Sequence, residues 1–242
     1  MTDFILVHGA MHGGWCWEPV AQLLRESGNR VFTPTLTGQG ELAHLLTPEV
    51  GVSTHVADIE RVLDAESVTQ GILVLHSYSG ILAGPVLQNH AHQLRAVVYA
   101  GAFMAQSGES LLDVEPAPVA AKYQELISDY GDGWRVPVQD SFLDQWGIVD
   151  SQLREFVGSR LTDFPARCVN DKVIFENSGM AGVALYYLEH THPPLQSLEL
   201  SRERARERGA VMLKIASGHD FMLSDPEGTS AILGSIATGK LC

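Results

Sequence analysis

Short apolar runs that stop at Gly, Ser or His recur along the chain, and amphipathic stretches separate them. This alternation is the strongest constraint on the fold, because a strand that reads as continuously apolar must be covered on both faces. Strands buried in that way belong to parallel sheets with crossover helices. Six such runs are expected to be strands, at residues 4–8, 30–34, 71–75, 96–100, 183–188 and 211–215. Helices are expected at 18–26, 52–63, 80–90, 195–208 and 226–238, the last opening behind Asp225 as an N-cap with Pro226 in its first turn. The prediction is an α/β chain with a mostly parallel, doubly wound sheet.

The alternation breaks between about residues 105 and 180, a stretch too long for a plain loop that carries Trp134 and Trp146 and no clear strand. It is expected to fold over the strand ends as a helical cap (lid) insertion, 105–180, with residues 1–104 and 181–242 forming the core. Trp134, Trp146 and the apolar residues 117–121 would either line an apolar pocket or fasten the cap to the core.

A chain of 242 residues suits one such unit. Hydrophobic residues at 45% and charged residues at 19% leave no apolar run long enough to span a bilayer. The net charge of −13 disfavours nucleic-acid binding, and the one dense basic run, residues 202–208, interleaves glutamates and is expected to be a solvated helix face. Cys16, Cys168 and Cys242 lie far apart, which suggests neither a disulfide framework nor a zinc site and fits a reducing compartment. The opening MTDFILVHGA has no basic segment before its apolar stretch, so it is expected to be a first strand and the protein cytoplasmic.

Chemistry concentrates in three loops. The segment Leu75-His76-Ser77-Tyr78-Ser79-Gly80 runs from an apolar strand through a tight polar turn into a helix, the context of a nucleophile elbow. It departs from G-x-S-x-G at Leu75 and Ser79. Read blandly, a serine there is a helix N-cap; read functionally, Ser77 is a nucleophile and Ser79 the cap. The glycine-rich turn after the first strand, Val7-His8-Gly9-Ala10-Met11-His12-Gly13-Gly14, frees backbone N–H groups, so Ala10 and Tyr78 are the expected oxyanion donors. Gly9 and His12 belong to the same oxyanion and substrate-binding turn, where His8 and His12 are expected to brace the loop by hydrogen bonding. His219 follows the last strand in Ser217-Gly218-His219-Asp220 and is the expected general base. An acid should follow the strand 183–188, where Glu189 is the one carboxylate; failing it, the enzyme would work as a Ser-His pair.

These segments, together with TPTLTGQGE, AGAFMAQSGESL and SGHDFMLSDPE, resemble the plant methylesterase and hydroxynitrile lyase-like branch of the α/β-hydrolase superfamily, with its bacterial salicylate-esterase-like members. The resemblance covers most of the chain outside the cap and implies an α/β-hydrolase fold. The family's serine matches Ser77, its histidine His219 and its oxyanion donors Ala10 and Tyr78. Its aspartate has no counterpart, because His190 or its neighbours occupy that place. Gly9 and Asp220 stand where the lyase branch has threonine and lysine, which disfavours cyanohydrin cleavage.

The expected activity is hydrolysis of a small-molecule carboxylic ester, or a lactone or thioester, through an acyl-Ser77 intermediate, without cofactor or metal. The alternatives are C–C lyase or cyclase chemistry with His219 as base, and a small-molecule receptor that has lost most catalysis. A homodimer is compatible with the sequence.

Overall fold

The computed structural model describes residues 1–176 and 182–240. Six strands form one sheet: β1 (Asp3–Val7), β2 (Arg30–Phe32), β3 (Gly71–His76), β4 (Leu94–Ala100), β7 (Ala184–His190) and β8 (Val211–Ile215). Their order is β2-β1-β3-β4-β7-β8, and all five pairings are parallel. A parallel pair needs a crossover, and the helices α1 (Glu18–Glu26), α2 (Val52–Ala65), α3 (Ala83–His90) and α9 (Glu199–Glu207) supply four of them, while α10 (Phe221–Ser224) and α11 (Pro226–Thr238) follow the last strand; the helices cover both faces. On one face α2, α3 and α9 pack on Ile5, Val7, Leu73, Leu75, Val97 and Tyr187. On the other, α1 and α11 pack on Phe4, Leu6, Ile72, Val74, Val98 and Leu188. Both faces are therefore dry, which is why Phe4, Ile5, Leu6 and Val7 all have zero exposure and the sequence shows no polar alternation there. Each such side chain contributes about 1.5–3 kcal/mol by leaving water.

The expected elements recur with shifted ends. Strand 30–34 stops at Phe32, strand 183–188 extends to His190, and the helix expected at 80–90 begins as a 3-10 turn over Ser77–Leu82. Asp225 caps α11 as read, its carboxylate accepting from Gly228 N at 2.9 Å behind Pro226. Among the described residues no helix is long and apolar enough to cross a membrane.

The segment between β4 and β7 contributes α4 (Leu111–Val114), α5 (Ala117–Glu125), α6 (Asp140–Gln145), α7 (Ser151–Gly158) and α8 (Ala166–Asn170). It also holds a ribbon not expected from the sequence, β5 (Arg135–Val136) antiparallel to β6 (Phe164–Pro165). Two-residue strands are too short to produce a period-two signal. The boundary expected at residue 180 lies outside the described residues, as does Cys242.

This segment is bonded to the loops at the carboxyl ends of the strands. Thr162 N donates to Met11 O at 3.0 Å, Gly40 N to Thr162 Oγ1 at 3.1 Å, and His219 N to Trp146 O at 2.8 Å. Its start is held from α9, where Arg204 donates to both Glu109 carboxylate oxygens at 2.6 and 2.7 Å and to Met104 O at 2.8 Å. The basic run 202–208 is therefore the solvated face expected of it only in part: Glu203, Arg206 and Glu207 are exposed, whereas Arg202 is only 4% exposed and lies between Glu189 on β7 and Glu199 of its own helix, and Arg204 turns to Glu109.

Candidate active site

Ser77 stands at φ +52°, the left-handed region that side chains with a Cβ rarely adopt, between the end of β3 and its 3-10 turn. Two glycines make that turn possible. A methyl group on Gly80 would overlap the Phe103 carbonyl oxygen, and one on Gly9 would come within 2.8 Å of Ser77 Cβ. Ser77 O accepts from Phe103 N at 3.0 Å, which fixes the elbow to the strand beside it. Ser79, at the place of the pattern's final glycine, donates to His76 O at 2.8 Å and closes the turn. Leu75 is no obstacle, since it lies within β3, fully buried and paired between Val7 and Tyr99. Ser77 itself keeps partial exposure while His76, Tyr78 and Ser79 are buried.

The first loop is braced as expected. His8 Nδ1 donates to Gly9 O at 2.7 Å, and its Nε2 accepts from Leu36 N at 3.0 Å, so the ring is held neutral. Burial drives its pKa down to about 3. Gly9 O belongs to the same peptide group as the N–H of Ala10, so this bond sets the direction of that donor. Tyr78 lies in the first turn of its helix, where N–H groups have no acceptor within the helix. Its hydroxyl and the Cys168 thiol both meet His55 Nδ1, at 3.1 and 3.4 Å, while His55 Nε2 donates to Thr37 O.

His219 sits on the loop after β8, 2% exposed, its ring 4.6 Å from that of His76 and 4.9 Å from that of His190. Burial, and then the neighbouring His76, His190 and His12, hold its pKa well below the ordinary imidazole value. A neutral imidazole in that setting can accept a proton. Next to it, Asp220 forms a buried pair with His12, Nε2 to Oδ2 at 3.2 Å, and His12 Nδ1 donates to Ala10 O at 2.8 Å. Burial opposes a charge on either partner, but their mutual attraction and hydrogen bond outweigh it, raising the pKa of His12 and lowering that of Asp220. No signal in the sequence joins these two residues, 208 positions apart.

Glu189 does not join this group. Successive residues of a strand face opposite sides of the sheet, so Glu189 shares its side with Tyr187 and α9, and its carboxylate meets Arg202 Nε at 3.4 Å. The residue from that strand end that meets His219 is His190, 1% exposed. The structure thus brings together His76, His219, His190, His12 and Asp220, sets Ser77 and Gly9 against His76, and leaves the expected acid outside; among the described residues neither ring nitrogen of His219 has a hydrogen-bond partner, Ser77 included. Of the two tryptophans, Trp146 faces this group, its ring 5.1 Å from that of His12; Trp134 lies beside Arg135. Trp146 stacks at 5.7 Å on Phe142, which lines a cavity of about 250 Å³ with Pro118, Val119, Tyr123 and Leu126.

The model of a family described as "Alpha/beta hydrolase family" matches residues 4–232. The carbendazim hydrolyzing esterase of Nocardioides sp. (strain SG-4G) is 30% identical over 244 residues, covering 98% of this chain and 100% of that protein. Salicylic acid-binding protein 2 of Nicotiana tabacum is 30% identical over 105 residues, 43% of this chain and 40% of that one. Among solved structures, an extracellular alpha/beta-hydrolase from a Paenibacillus species superposes with a TM-score of 0.86 over 96% of this chain and 98% of that one, at 18% identity.

Proposed function

Since this chain belongs to the alpha/beta hydrolase family, we propose that it is a carboxylester hydrolase of small molecules in which Ser77 is the nucleophile and His219 the base. The observation that carries the reading is the left-handed Ser77, strained at the end of β3 and cleared by Gly9 and Gly80, next in the chain to His76, whose ring lies 4.6 Å from that of the buried His219. Strain of about 1–3 kcal/mol at one serine persists only where the surroundings enforce it, and a helix N-cap needs none.

In the proposed reaction His219 takes the Ser77 hydroxyl proton as Oγ bonds to the ester carbonyl carbon. The negative charge that develops on the carbonyl oxygen is met by the N–H groups of Ala10 and Tyr78. Collapse breaks the bond to the alkoxy oxygen, which leaves as the alcohol with the proton held by His219. Water, deprotonated by His219, then attacks the acyl-Ser77, and the carboxylic acid departs. The segment between β4 and β7 acts as the lid over this site, to which Trp146 ties it through the His12 ring and the His219 backbone N–H.

The test is hydrolysis of p-nitrophenyl acetate by the wild type and by Ser77→Ala. Loss of at least about 10³-fold in kcat, with an acyl group detected on Ser77 by mass spectrometry, supports the reading. Equal turnover by the two proteins refutes it.

A further inference from the structure

Among the described residues no carboxylate contacts the ring of His219, yet a general base must be held in one tautomer with one nitrogen turned to the nucleophile. Its neighbours are largely committed elsewhere. His76 Nε2 donates to the His219 carbonyl oxygen at 3.1 Å, while its Nδ1, which like Asp220 Oδ1 has no hydrogen-bond partner among the described residues, is turned to Gly9, 3.0 Å from where a Cβ of that residue would stand. Both His12 nitrogens are taken, by Ala10 O and by Asp220, whose other oxygen lies 4.0 Å from His76 Nε2. The Trp146 carbonyl is occupied by the His219 backbone N–H. His190 alone of these rings has neither nitrogen engaged among the described residues, and the same holds for both nitrogens of His219. Four unpaired polar atoms on two touching, buried rings demand an explanation, since buried polar groups are normally hydrogen-bonded.

We propose that His190 is the positioning residue for His219, a neutral imidazole that accepts the N–H of the base on the side away from Ser77. This rests on the Ser77–His219 reading above. The ring has been given room: Gly101, at φ +55°, faces it, and a Cβ there would come within 3.0 Å of His190 Nδ1. Burial and the nearby Arg202 guanidinium keep His190 uncharged, with a pKa down to about 4, so it can accept a hydrogen bond. The consequence is a base without a counter-charge at its back. Such a base stays unprotonated to lower pH than one held by a carboxylate, because an opposite charge nearby favours the imidazolium.

The experiment measures kcat, KM and the pH profile of kcat/KM on p-nitrophenyl acetate for the wild type, His190→Leu, His190→Asn and His190→Asp, with Ser77→Ala alongside. Leu, which has no acceptor, should lower kcat by about 10²-fold with KM little changed, and Asn, which retains one, should recover most of that loss. Asp should move the acid limb of kcat/KM to higher pH by about a unit or more. The groups facing His219 from other elements, His76 and the His12–Asp220 pair, are unchanged throughout. A Leu variant with wild-type kcat overturns the proposal, as does an Asp variant whose acid limb does not move; the Asn and Asp variants decide the matter if Leu fails to fold. If Ser77→Ala retains activity, the site reading itself has failed, an outcome distinct from neutral His190 variants beside an inactive Ser77→Ala.

Discussion

Acidification should unfold this protein at a pH above the ordinary carboxylate range. His8 is held down to a pKa of about 3, His55, His76 and His190 to about 4, and His219 further below its ordinary 6.5, in each case chiefly by burial. A histidine whose folded pKa is depressed stays neutral in the folded chain while the unfolded chain takes up a proton. Stability is therefore lost as pH falls from 6.5 towards about 4, and is unaffected by these groups above 6.5. The hydrogen bonds give the reason: protonating His8 removes the acceptor for Leu36 N, and protonating His55 removes the acceptor for the Tyr78 hydroxyl. At pH 5 each of His8, His55, His76 and His190 costs about 2 kcal/mol, so the four together cost about 8 kcal/mol, and His219 adds in the same direction, comparable with the whole stability of about 5–15 kcal/mol expected of a domain. His12 and Glu115 run the other way: the raised pKa of His12 stabilises below 6.5 and that contribution fades as pH rises through the folded value, while burial raises Glu115 to about 7, so acidification from 7 towards 4.5 recovers part of the stability. The assay is urea denaturation at pH 8, 7, 6, 5.5 and 5 followed by circular dichroism. The slope near pH 5 should correspond to about four protons taken up on unfolding, or about 5 kcal/mol per pH unit. A stability flat from pH 8 to 5, or a slope of one proton or less, would falsify the account.

Two further outcomes test particular contacts. Gly80→Ala should lower stability by about 1–3 kcal/mol in a thermal melt, because the new methyl meets the Phe103 backbone and no side chain can swing aside; an unchanged melting temperature would show that the elbow yields. Glu189→Gln should leave kcat within about 2-fold of wild type while lowering stability by about 1 kcal/mol, since Arg202 loses one partner but keeps Glu199. A fall in kcat as deep as that of Ser77→Ala would mean that Glu189 acts on His219 after all.

How much of this was legible in the chain follows from how local each signal is. The strands were readable because burial on both faces made them unbroken apolar runs, and α11 because Asp225 and Pro226 mark its start within two residues. Ser77 was readable despite Leu75 and Ser79, because a strand, a tight turn and a helix in succession specify the position more firmly than the glycines around it. The errors arose where a side chain's destination depends on a partner remote in sequence. Glu189 was chosen because it is the one carboxylate in residues 189–194, a criterion of composition. A strand assigns its residues by parity, and had strand 183–188 been carried two residues further, the same alternation that buries Leu188 would have sent His190 to the side of His219 and Glu189 to α9. Arg202 and Arg204 were misread for a related reason, since a helix with alternating charges looks solvated until Glu189 and Glu109 are brought to it.

Asp220 carries this reasoning furthest. It follows His219 directly in the chain and bonds to His12 rather than to the ring of His219, so the carboxylate is not idle. It lies in the same buried group as four histidines and holds a proton jointly with His12, whose Nδ1 must donate to the Ala10 carbonyl. Since Nδ1 is committed as a donor, the Nε2···Oδ2 contact requires one further proton, on the ring or on the carboxylate. The directions of both pKa shifts put it on the ring as a His12–Asp220 ion pair. The negative charge near the base is thereby balanced within the loop that carries the Ala10 donor, and His219 is left among neutral rings. A base so surrounded is kept deprotonated by its setting rather than primed by a carboxylate, which is why the identity of residue 190, more than that of residue 189, should govern how activity responds to pH.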